Sequence, residues 1–173
     1  DDRVVYFGEL HAHTGISTDG GSVDLGNCTS GACGNFADYF VNARDAAGLD
    51  FAAITDHLNG NYAMDADGWQ AVGELVQGAP GGAFVALAGG ELRMRRDGVQ
   101  PLGHRNLILF GDPADLGALG LDDFAGLDDP ETCDDIWTAM EALRSDHGRM
   151  LLLPHHPAAS LPMATDWSCQ HDD

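Results

Sequence analysis

Val4-Val5-Tyr6-Phe7-Gly8-Glu9-Leu10-His11-Ala12-His13-Thr14 carries an apolar, β-prone run straight into two histidines. The run reads as a strand over residues 4–10. Side chains on an extended segment repeat every two residues, so His11 and His13 point the same way. Two imidazoles aimed together at the end of a strand can grip one divalent cation. Later apolar runs repeat the arrangement. Phe51-Ala52-Ala53-Ile54-Thr55 ends in Asp56-His57, and Phe84-Val85-Ala86-Leu87 leads to Gly89-Gly90-Glu91. Met150-Leu151-Leu152-Leu153 ends in Pro154-His155-His156-Pro157, and Asn106-Leu107-Ile108-Leu109-Phe110 has His104 at its entry.

Between these runs the apolar residues take helical spacing. Phe36, Phe40, Ala43 and Ala47 predict a helix from an Asn35 cap to a stop at Gly48. Trp69, Val72 and Val76 predict a second over 67–77, with Asp65-Ala66-Asp67-Gly68 as its cap rather than part of a calcium loop. Ile136, Trp137, Met140 and Leu143 predict a third, opened by Pro130 and Glu131. Residues 16–34 read as a polar loop and 112–130 as an acidic connection with little periodicity. With no internal repeat or low-complexity linker, 1–173 reads as a single domain. Continuous apolar strands alternating with helices predict an α/β fold on a parallel sheet buried on both faces. In such folds chemistry gathers at the carboxyl ends of the strands. His11, His13, His57, Glu91 and the His155-His156 pair all fall there.

The chain holds 28 Asp plus Glu against 8 basic residues, every one Arg, for a net charge of −20. That balance argues against nucleic acid or an anionic membrane as partner and fits a highly solvated surface. No stretch approaches the roughly 20 apolar residues of a membrane span. The chain opens Asp1-Asp2-Arg3 without an initiator Met, which reads as an upstream segment removed or left out. Four cysteines allow three pairings. Cys28–Cys33 and Cys133–Cys169 are the pairs expected here, in an oxidising, extracytoplasmic compartment (periplasmic or secreted). Free buried thiols are the alternative. A zinc knuckle lacks a second close cysteine pair.

The candidate ligands His11, His13, Asp19, His57, Glu91, His104 and His156 mix nitrogen and carboxylate donors. Such a set suits zinc, manganese or iron better than calcium. It is also too large for one tetrahedral ion, and a carboxylate such as Glu91 can bridge two. In order along the chain, His11-Ala12-His13-Thr14, Thr55-Asp56-His57, Gly90-Glu91, His104 and His156-Pro157 resemble the metal motifs of the PHP (polymerase and histidinol phosphatase) family. The form Phe7-Gly8-Glu9-Leu10-His11-Ala12-His13-Thr14-Gly15 looks most like its longer, often secreted branch. The resemblance implies a distorted (βα)7 barrel, of which about five strands are readable here. It implies two or three divalent ions (Zn, Mn or Fe): one held by His11, His13 and Glu91, a second by Glu91, His104 and His156, a third with Asp19 and His57. His155 competes with His156, which directly precedes Pro157 as in the family. The family's late Asp-x-His motif has no counterpart, so the domain reads as incomplete at its C-terminus or as a shortened homologue.

Arg93, Arg95, Arg96 and Arg105 are half of the arginines and crowd beside Glu91 and His104. Arg93 and Arg105 are candidates to orient an anionic group near the reacting centre of Glu91 and His57. Pairing with surplus surface acids is the even alternative. His57 and His104 taken singly read as satisfied core histidines, and His147 as a favourable helix-terminal charge. Asp56 is expected to orient rather than ligate. Ser17, Ser22 and Ser160 lie in no nucleophile elbow, against a serine hydrolase. The expected activity is metal-dependent hydrolysis of a small, anionic phosphate ester. A carboxyl-ester or carbamate hydrolase is the nearest enzyme alternative. A non-catalytic extracellular metal-binding protein, capable of self-assembly, is the alternative from another class.

Overall fold

A computed structural model of the chain describes residues 4–17, 36–96, 100–111, 118–128, 130 and 132–155. Five strands form one sheet in the order β1 (Gly8–Glu9), β2 (Phe51–Ile54), β3 (Val85–Arg96), β4 (Gln100–Phe110) and β5 (Arg149–His155). The sheet curls into a half-barrel, a mixed α/β arrangement that matches the five apolar runs in number.

Its strand directions correct the all-parallel expectation. β1, β2 and β3 are parallel, whereas β4 runs antiparallel to β3 and β5 antiparallel to β4. β3 ends at Arg96 and β4 begins at Gln100, a gap far shorter than the roughly dozen residues a parallel crossover needs. The reversal matters for chemistry. The entry of β4, not its exit, lies at the edge where the other strands deliver their carboxyl ends, and His104 pairs opposite Arg93 and His155 there. A register shift between Met94 and Arg95 sits beside that pairing.

Three α-helices are described: α1 (Tyr39–Asp45), α2 (Ala66–Gln77) and α3 (Cys133–His147). The Asp65 carboxylate caps α2 by accepting from Gly68 N at 2.8 Å, as its sequence suggests. α3 opens instead at Thr132, whose hydroxyl and Asp135 form a reciprocal capping box. The acidic connection contains a 3-10 helix, Leu121–Leu127, that buries Phe124 and Leu127. Residues 4–7 do not extend β1. Val4, Val5, Tyr6 and Phe7 are 66–70 % exposed, and among the described residues Phe7 is tied to Asp50. High β propensity does not make a strand where no neighbour pairs with it.

The pleat sorts the sheet into two faces. Ala52, Ile54, Ala88, Leu92, Leu107 and Leu109 pack outward with Phe40, Val72, Val76, Ile136 and Met140 of the helices. Ala53, Leu87 and Ile108 form a smaller inner cluster with Leu10, Phe51 and Leu153. Glu91, Asn106, His104 and His155 lie further along the inner face by the same alternation. Gly90 faces outward, and a Cβ there would fall 2.3 Å from Leu58 Cγ, so only glycine leaves room for the leucine. Cys133 is disulfide-bonded; Cys28, Cys33 and Cys169 lie outside the described residues. Among the described residues no helix is long and apolar enough to cross a membrane.

Candidate metal centre

The segment after β1 runs on beside β2. Thr55 N donates to Ala12 O at 2.9 Å, and Ala12 N donates to Thr55 Oγ1 at 2.9 Å. The segment after β2 runs on beside β3. Glu91 N donates to Asp56 O, Leu58 N donates to Glu91 O, and His57 bridges Glu91 in parallel register. Asn59 continues this attachment with its side chain, accepting from Arg93 N at 2.7 Å and donating to Arg93 O at 3.1 Å. These bonds set the His-x-His segment, His57 and Glu91 side by side at one edge of the sheet.

Asp56 is fully buried and holds the turn that follows His13. It accepts from Thr14 N (2.9 Å), Thr14 Oγ1 (2.8 Å), Ser17 N (3.0 Å) and Ser17 Oγ (2.8 Å). Its carboxylate thus orients the turn that follows His13.

Glu91 is the centre of the cluster and only 2 % exposed. One oxygen lies 2.7 Å from His13 Nε2 and 3.8 Å from His57 Nε2, and the other touches His104 Nδ1. Burial pushes its carboxyl up, but the hydrogen bonds from His104 and His13 and the attraction of His57 and His104 outweigh it. The carboxyl titrates well below the usual range. The imidazoles are themselves crowded. The His11 and His155 rings lie 3.6 Å apart, and His13 lies 4.8 Å from His11 and 4.7 Å from His57. Several nitrogens and one buried carboxylate at such range can share ring protons or a cation.

Two groups of three meet the spacing for a metal ion: His11, Glu91 and His155, and His13, His57 and Glu91. Within each, one donor atom per residue lies within 4.8 Å of the others. Glu91 belongs to both, so its two oxygens can serve two ions. This grouping differs from the one the family resemblance implies, which put His11 and His13 on one ion. His155 stands in the cluster, while Asp19 and His156 lie outside the described residues.

The two arginines part company. Arg93 follows Glu91 by two residues on the inner face, and its side chain passes 3.8 Å from where a Gly60 Cβ would sit. Arg105 lies between His104 and Asn106 and is buried on the outer face. The pleat thus sets Arg105 on the face opposite Glu91. Asn106, by contrast, marks only the start of an apolar run in the sequence. It is 5 % exposed and its Oδ1 lies 3.1 Å from His11 Nδ1. Alternation from His104 would have found it, given the direction of β4.

No family model matches the chain, and no curated protein matches it. The likeness to PHP proteins rests on the motifs alone.

Proposed function

We propose that the chain is a metal-dependent hydrolase that cleaves a phosphate ester, on a scaffold related to PHP barrels, outside the cytoplasm. The observation that carries this reading is the pair of three-residue groups sharing Glu91. The donor set fits zinc, manganese or iron, being rich in imidazole and poor in oxygen. Divalent cations bound there would lower the pKa of a water toward neutrality and offset charge developing on the substrate.

The ligand chemistry favours an anionic substrate. Among the described groups Glu91 is the sole carboxylate, so two divalent ions would keep most of their charge. Arg93, on the same face, adds a guanidinium suited to bidentate phosphate contact. Glu91 and His57 hold the reacting centre, and His104 steadies the second oxygen of Glu91. The overall charge of −20 makes this positive spot a local reversal that would focus an anion toward the edge of the sheet.

The test is a hydrolysis panel run on protein loaded separately with Zn2+, Mn2+ and Fe2+. Phosphate mono- and diesters are expected to turn over, with chelation abolishing the rate. Faster turnover of carboxyl esters or carbamates would move the assignment to that class. Bound metal with no turnover of any ester would make the chain a metal-binding protein only.

A further inference from the structure

We infer that Asn106 is a positioning residue that sets the tautomer of His11, so that Nε2 is the nitrogen offered to a cation. The inference rests on the metal-site reading above, but it concerns proton placement that exists without any metal.

The bonds around Asn106 leave one consistent assignment. Its Nδ2 donates to Leu10 O at 3.2 Å, and its Oδ1 faces His11 Nδ1 at 3.1 Å. Turning the amide over would set its oxygen against the Leu10 carbonyl and lose that bond. With Oδ1 as an acceptor, His11 Nδ1 must carry the proton. Thr55 supports the same answer from another side. Its hydroxyl donates to Ala12 O, so the lone pairs of Oγ1 face His11 Nδ1 at 3.3 Å. A neutral imidazole protonated at Nδ1 has its free lone pair on Nε2.

The placement of Asn106 makes this a property of the fold. It is opposite Glu91 on β3 and Leu153 on β5, two residues from His104. One side chain thus fastens the His-x-His segment to β4 through a backbone carbonyl and a ring nitrogen at once. Outer partners of this kind typically change metal affinity about 10- to 100-fold when removed.

The experiment reads His11 directly, by long-range proton–nitrogen NMR of 15N-histidine protein, chelator-treated, in mildly alkaline solution. The wild type is expected to show His11 protonated at Nδ1. Asn106→Leu, which removes the acceptor at similar volume, should shift His11 toward the Nε2-protonated form and weaken Zn2+ binding about 10- to 100-fold. Asn106→Asp keeps the acceptor and should keep the Nδ1-protonated ring. A wild-type His11 protonated at Nε2 would overturn the inference, whether or not Asn106→Leu folds. So would Asn106→Leu with the ring and affinity unchanged. If the wild type takes up no metal, the proposed function fails while the tautomer still decides the role of Asn106.

Discussion

At the scale of single residues, Glu91 and Asp56 show how environment divides two buried carboxylates between roles. Asp56 accepts from four donors of the turn that follows His13, whereas Glu91 is surrounded by ring nitrogens. Asp56→Ala would strand the donors of Thr14 and Ser17, so we expect a loss of about 3 kcal/mol, the order of unsatisfying several buried polar groups. Urea denaturation followed by circular dichroism measures it. Glu91→Ala should instead remove bound metal together with at least about 100-fold of the hydrolytic rate. Elemental analysis alongside turnover checks both, and full metal content in that variant would deny Glu91 its bridging role. Because the Glu91 carboxyl is depressed in the fold, its contribution to metal-free stability is complete above the ordinary carboxylate pKa, near 4.3. That contribution declines as pH falls toward the depressed value. Chelator-treated Glu91→Gln should lack this part of the acid lability seen in chelator-treated wild type. Most of these side chains were legible as residue types in chemical company. Both carboxylates have a sequence signal for their roles: Asp56 by adjacency to His57, and Glu91 by its place at the end of an apolar run. Asn106 has none, because its partners lie 95 and 96 positions away.

At the scale of elements, strand direction separates what pattern can reveal from what it cannot. The apolar runs marked β2, the first part of β3, and β5 correctly, because continuous burial leaves a continuous signature. They could not reveal that β4 runs backward. Asp97-Gly98 carries the sequence signal of a hairpin, which the longer apolar run from Asn106 outweighs. The first residues of β4, from Gln100 to Arg105, break the apolar pattern and carry no strand signature of their own. Yet the hairpin is what lifts His104 to Glu91. The contact between β2 and β3 is equally specific. Gly90→Ala would drive Leu58 from its seat and disturb the bridge between His57 and Glu91. We expect a cost of about 1–3 kcal/mol, as for other overpacked sites. Metal affinity should fall with it, measured by calorimetry on the refolded variant. Unchanged affinity would mean that the His57 loop is not fastened through this packing.

At the scale of the molecule, the two faces of the half-barrel are unequal. The outer face holds the large core under the helices, and the inner face holds Ala53, Leu87 and Ile108 beneath the histidine cluster. Lower on the same face Val85, Phe110 and Leu151 are 51, 42 and 42 % exposed. Alternating strands and helices made the α/β class legible, and the ligand-bearing edge with it. The seven-unit barrel came from resemblance alone, and the described residues carry five strands. A site whose donors come from four separate stretches of chain couples metal binding to folding. A cation that saturates it at a hundredfold excess over its Kd should stabilise the protein by about 2.7 kcal/mol, and chelation should remove that gain. Differential scanning calorimetry with and without Zn2+ reads it. The most direct test of the central claim is anomalous X-ray scattering from crystals soaked in Zn2+ or Mn2+. The arrangement predicts two peaks that share Glu91, one beside His11 and His155 and one beside His13 and His57, at ligand distances of about 2.0–2.2 Å. Fully soaked crystals with no anomalous peak within bonding distance of Glu91 would contradict it.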